Sequence, residues 1–119
     1  MYFRQEIGKW GENLACKYLE ENNYKVIERN FLCRQGEIDI IAKDIAKQEC
    51  VFIEVKTRTN FKYGNPSEAV NRKKLKHIKQ TANYYIYKNS INNIAVRFDV
   101  IEVYIQEQNC KINHIKQVF

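Results

Sequence analysis

Two short apolar runs that carry acid in their interiors constrain this chain more than any other feature. Ile38 to Ala42 and Val51 to Val55 lie within GEIDIIAKDIAKQECVFIEVKTR, Gly36 to Arg58, and read as neighbouring strands joined by the polar stretch Lys43 to Glu49. Asp39 sits among isoleucines, and Glu54 sits between Ile53 and Val55. An ionised carboxylate in apolar surroundings is costly unless it is paired or bound to a metal. Side chains alternate faces along a strand, so Glu37, Asp39 and Ile41 share one face, as do Phe52, Glu54 and Lys56. The short connection favours antiparallel pairing, which brings Asp39 and Glu54 to metal-bridging distance where the charged faces coincide. An ordinary wet strand face yields E-x-K by itself. The ordered set Glu12, Asp39, Glu54-Val55-Lys56 is harder to obtain from a bland sheet.

The rest of the chain supplies elements around these strands. Ile7 to Asn22 predicts an amphipathic helix with Ile7, Trp10, Leu14 and Tyr18 as its apolar ridge. Gly8, Gly11 and Ala15 lie in that face and allow close approach to a sheet, and Glu12 stands at its margin. Tyr24 to Cys33 predicts a strand with Val26, Ile27, Phe31 and Leu32 as core candidates, and Arg34-Gln35-Gly36 turns the chain into the acid-bearing pair. Thr59 to Pro66 reads as a loop whose Phe61, Lys62 and Tyr63 suit a nucleic-acid backbone or a stacked base. Asn71 is positioned to cap a helix running to about Lys88, with Leu75, Ile78, Ala82, Tyr85 and Ile86 as its stripe. Gln80 and Tyr84 stand one turn apart on it. Ile94 to Ile105 predicts a long strand with Val96, Phe98, Val100 and Ile101 buried and Asp99 paired to Arg97 or Arg29; Lys111 to Val118 predicts an edge strand.

Charge narrows the class of partner. The net charge of +6 is concentrated between Lys56 and Lys79, where eight Lys and Arg (Lys56, Arg58, Lys62, Arg72, Lys73, Lys74, Lys76, Lys79) face one acid, Glu68. Clustered cations attract polyphosphate and release its counterions. The 119 residues suit one domain, and no apolar run approaches the roughly 20 residues of a membrane span. The N-terminus lacks the pattern of a signal peptide, so the cytoplasm is the expected location. Cys16, Cys33, Cys50 and Cys110 contain no C-x-x-C pair and are expected as reduced thiols; His77 and His114 are isolated from them.

The order helix, three strands, helix, strand, with Glu12, Asp39 and Glu54-x-Lys56, resembles the PD-(D/E)xK nuclease superfamily. More closely, GEIDIIA, FIEVKTR, YGNPSEAV and RFDVI resemble the bacterial YraN family, which is similar to Holliday junction resolvases. Glu37-Ile38-Asp39 stands where the superfamily motif has a proline before the aspartate. The resemblance implies a restriction-endonuclease-like α/β core, a central mixed sheet flanked by helices. It implies a Mg²⁺- or Mn²⁺-dependent endonuclease acting on DNA, with preference for branched or junction structures. Asp39, Glu54 and the Val55 carbonyl would bind the metal, and Glu12 would bind through water or hold a second ion. Lys56 would orient the attacking water or stabilise the developing negative charge, with base work open to it if the metal lowers its pKa. Gln80 and Tyr84 resemble the supporting Q-x-x-x-Y motif of the RecB-type branch. Arg58, Lys62, Arg72, Lys73, Lys76 and Lys79 are candidates for phosphate contacts, which position nucleic acid without reading its sequence. A homodimer would serve two-strand cleavage. The first rival expectation is a nuclease fold that binds DNA or a repair partner without cutting; the second is a basic scaffold or interaction domain with no nucleic-acid role.

Overall fold

Sheet pairing explains why the acid-bearing runs meet. The computed structural model describes residues 4–59, 72–107 and 109–118. Its elements are α1 (Arg4–Glu21), β1 (Tyr24–Cys33), β2 (Gly36–Asp44), β3 (Glu49–Arg58), α2 (Arg72–Lys88), β4 (Ala95–Gln106) and β5 (Asn109–Ile115). One five-stranded sheet holds the strands in chain order. Neighbours pair antiparallel except β3 and β4, which run parallel and are linked through α2. The stretch 60–71, with Phe61, Lys62, Tyr63 and the expected cap Asn71, lies outside the described residues.

The sheet is covered on both faces. Ala15, Cys16 and Leu19 of α1 pack on Ile40, Ala42, Val51, Ile53, Ile101 and Val103. Ala82 and Tyr85 of α2 pack on Phe31, Ile38, Ile41, Cys50 and Phe52 across the other face. The ridge expected for α1 is thereby corrected. Its innermost side is Gly11, Ala15 and Leu19, whereas Ile7, Leu14 and Tyr18 are only partly buried and Trp10 is 40% exposed. Small residues let the helix axis come close, so the large side chains splay to its margins. Gly8 has open space around it, but a Cβ on Gly11 would lie 2.0 Å from Thr57 Oγ1. Gly11→Ala should therefore destabilise the domain by about 1–3 kcal/mol in urea unfolding, although alanine is the better helix former. Gly36 serves the opposite layer: its φ is 149° and its Cα faces the Thr81 hydroxyl of α2.

Two further expectations change for reasons of packing. Ile27 and Leu32, taken as core, are 49% and 72% exposed, because β1 is an edge strand with a register shift between Val26 and Glu28. On β4 the inward residues at its start are Arg97 and Asp99, while Val96 is 37% exposed. Arg97 donates to Asp99 (2.9 Å from both Nε and Nη2), Asp44 (2.9 Å), Glu49 (2.9 Å) and the Tyr24 hydroxyl (2.6 Å). His114 Nε2 lies 2.7 Å from Asp99, and the Tyr18 hydroxyl lies 3.0 Å from His114 Nδ1. This buried ionic cluster ties β1 to β5 and α1 together. Among the described residues no buried side-chain polar atom lacks a partner, the condition under which such a network is tolerated. Of the four free cysteines, Cys16 and Cys50 are buried, Cys33 is partly covered and Cys110 is exposed.

Candidate metal and phosphate site

The β2–β3 ladder stops one residue short of the acids. Its last partner pair is Ile40 and Ile53, so Asp39 and Glu54 are the first opposed positions beyond it, while β2 continues to pair with β1 through Ile38 and Glu37. In the gap so opened, the Val55 backbone N–H donates to Asp39 Oδ2 at 2.8 Å. In a strand, a residue's N–H and C=O project towards the same neighbour, so the Val55 carbonyl is turned to the Asp39 side as well.

Glu54 Oε1 accepts an ion pair from Lys56 Nζ at 3.0 Å and another from Lys74 Nζ, which reaches over from α2. Glu37, Asp39, Glu54, Lys74, His77 and Ile78 line an open pocket of about 170 Å³. The sheet supplies its acids, and the first two turns of α2 supply the opposite wall. Lys74, His77 and Ile78 point the same way because residues three and four apart share a helix face.

Electrostatics mark Asp39 as the stressed group. Burial, with Glu54, Glu12 and Glu37 nearby, pushes its carboxyl up to about 6 against the pull of the Val55 N–H. Burial and the neighbouring Lys74 ammonium depress the Lys56 amine, with Glu54 opposing them. Lys74 is shifted the other way: its burial is outweighed by Glu54, its principal partner. Burial first, and then the nearby acids, disfavour the ionised Asp39, and a cation beside it and Glu54 would offset both. Two carboxylates and a carbonyl are hard oxygen donors of the kind Mg²⁺ and Mn²⁺ take, and the residues present fit such an ion.

The remaining candidates divide. Glu12 is close enough to act on Asp39 electrostatically, yet its Oε1 accepts from Arg29 Nε at 3.1 Å and Asn30 Nδ2 at 2.9 Å. Successive strand residues normally face apart; Asn30 is left-handed, φ 52°, and both it and Arg29 reach this carboxylate. Among the described residues no three His, Cys, Asp or Glu side chains group closely enough to hold a metal, so the acids form a pair with Glu12 outside it. Arg72, Lys73, Lys76 and Lys79 lie on the exposed side of α2, and Arg58 is half-buried near the end of β3. Gln80 and Tyr84 are exposed and absent from the pocket lining, Tyr84 stacking instead near Phe31 with ring centroids 6.3 Å apart. Sequence reasoning placed Lys74 in the basic block without a role and set His77 aside. The three- and four-residue spacing of His77 and Ile78 from Lys74 was the available signal.

Residues 11–103 match the model of the uncharacterised protein family UPF0102. A UPF0102 protein of Clostridioides difficile (strain 630) is 49% identical over 115 residues, 97% of each chain. One from Caldicellulosiruptor bescii is 48% identical over 118 residues, 97% of this chain and 98% of the other. Among solved structures, a repair endonuclease from Pyrococcus abyssi superposes with a TM-score of 0.50 at 17% identity, over 91% of this chain and 41% of that one. The likeness concerns part of a longer protein and shows the fold, an α/β core of restriction-endonuclease type. With its family model and full-length relatives in agreement, the chain belongs to the UPF0102 family, also called YraN.

Proposed function

We propose that the protein is a metal-dependent endonuclease that hydrolyses DNA phosphodiester bonds and selects branched structures. The observation that carries this reading is Asp39: a half-buried acid beside Glu54 and an open pocket, in a site whose own repulsion a divalent cation would relieve. Asp39, Glu54 and the Val55 carbonyl would hold Mg²⁺ or Mn²⁺. When bound, the ion would neutralise a nonbridging phosphate oxygen and favour deprotonation of water. Lys56, two residues beyond Glu54 on the same strand face, holds its amine 3.0 Å from the Glu54 carboxylate. It would orient the attacking water or stabilise the developing negative charge, and burial and Lys74 shift its amine in the direction that base work needs. Glu12, braced by Arg29 and Asn30, would act at the margin through water. Arg58, Arg72, Lys73, Lys76 and Lys79 would bind flanking phosphates, with Lys62 as a further candidate from the sequence. A two-fold dimer would place two such sites on a four-way junction.

The test is cleavage of linear, flapped and four-way DNAs with Mg²⁺ or Mn²⁺. Branched substrates should be cut in preference, and Lys56→Ala should lower the rate by about 10²-fold or more while leaving DNA affinity within about twofold. Sedimentation with a four-way junction should show two chains per DNA. One observation favours a second reading, a DNA-binding module that does not cut. Glu12 and Glu54 are each neutralised by the chain's own cations. DNA binding that weakens steeply with salt, with no cleavage of any substrate, would decide for it.

A further inference from the structure

We propose that Lys74 is a substrate-contact residue that exchanges partners, holding Glu54 in the metal-free protein and passing to a substrate phosphate when a divalent cation takes Glu54. This rests on the nuclease reading and adds to it a second wall of the site, on α2. Glu54 Oε1 carries two ammonium groups at once, from Lys56 on its own strand and from Lys74 on the helix opposite. A dication at Glu54 would stand beside both ammonium groups, and their mutual repulsion favours the release of one. Lys56 is held on the strand, two residues from Glu54. Both lysines carry their charge on a flexible four-carbon stem, but Lys56 is the more covered, its side chain 20% exposed, so the mobile choice is Lys74. Its side chain is 39% exposed, and it lines the pocket with Asp39 and His77. At about 170 Å³ that pocket has room for several waters or a phosphate group. An ammonium displaced from Glu54 there needs an anion, and the phosphodiester is the one the reaction brings. Lys73 and Lys76, exposed on other sides of α2, lack this position.

Mn²⁺ titration of the DNA-free protein by calorimetry tests the exchange, with Lys74→Met, Lys74→Arg, Lys88→Met and Asp39→Asn compared to wild type. Lys74→Met removes an internal competitor and should bind Mn²⁺ about three- to tenfold more tightly. Lys74→Arg should stay near wild type, as should Lys88→Met, which makes the same charge change at the far end of α2. With Ca²⁺ in place of the active ion, Lys74→Met should lose about tenfold in DNA affinity. Equal or weaker Mn²⁺ binding by Lys74→Met, with Asp39→Asn impaired as expected, overturns the exchange and leaves the nuclease reading intact. If wild type takes up no Mn²⁺, or Asp39→Asn binds it equally, both fall. Circular dichroism on each variant separates a binding effect from loss of the fold, and a Lys74→Met chain that unfolds while Lys74→Arg folds also counts against exchange.

Discussion

Asp39→Asn is expected to make the metal-free protein more stable at neutral pH, by about 2 kcal/mol, while abolishing divalent-ion binding and cleavage. Burial and the neighbouring acids raise the Asp39 carboxyl from its ordinary 3.8 to about 6. At roughly 1.4 kcal/mol for each tenfold change, that displacement sets a ceiling of about 3 kcal/mol on the cost of the ionised group. The native state favours the protonated acid. Its stabilising contribution is therefore fully present below about pH 3.8 and is lost as pH rises through about 6. Asparagine mimics the protonated form at every pH, and its amide oxygen still accepts from the Val55 N–H. Urea melts of the two proteins should coincide near pH 4, diverge between about pH 4 and pH 6, and differ by a constant amount above pH 7. Mn²⁺ should then raise the melting temperature of wild type, by an amount that grows with ion concentration, and leave Asp39→Asn unmoved. An asparagine variant less stable than wild type at pH 7.5 would show that Asp39 is an ordinary paired acid, and the metal site would go with it.

Arg97→Met should produce the largest loss of stability of any single change considered, about 3–5 kcal/mol. Against the 5–15 kcal/mol of a typical domain, that is enough to leave part of the chain unfolded at 37 °C. Arg97 is 4% exposed and satisfies Asp44, Glu49 and Asp99 together. Burial alone would raise the carboxyls of Asp44 and Asp99; hydrogen bonds from Arg97, with Lys47 N–H on one and His114 on the other, hold both below the ordinary range. Their contribution is present above about pH 3.8 and lost as pH falls through the lowered native values. Without Arg97, Asp44 keeps the Lys47 N–H and Asp99 keeps His114 and the Gln117 N–H, but both lose their guanidinium partner and titrate upward. The deficit of Arg97→Met should accordingly shrink between pH 7 and pH 4.5, the reverse of an ordinary acid-labile protein. Arg97→Lys keeps a charge but loses the fork that reaches several partners, and should recover only part of the loss. A deficit below 1 kcal/mol, or one independent of pH, would mean that the cluster is not what joins the sheet to α1 at this end.

The sequence alone determined the order of elements, since apolar periodicity and turn residues are properties of short windows. Both helices and all five strands occur where their patterns predict them, within a few residues. The shared face of Asp39 and Glu54 was legible for the same reason: strand alternation needs no knowledge of the fold. Which face of an element turns inward is another matter, because it depends on what is packed against it. Val96 is expected inward with Phe98, Val100 and Ile101 yet is 37% exposed, whereas Arg97 is buried because the sheet brings it Asp44 and Glu49, partners distant in sequence. Trp10 looked like the buried ridge of α1, but Thr57 of β3 admits only the glycine side of that helix. Lys74 was one cation among eight until the crossover through α2 set it over Glu54. Local patterns decide what an element is; only the tertiary structure chooses its neighbours, because burial and charge compensation are settled between segments far apart in the chain.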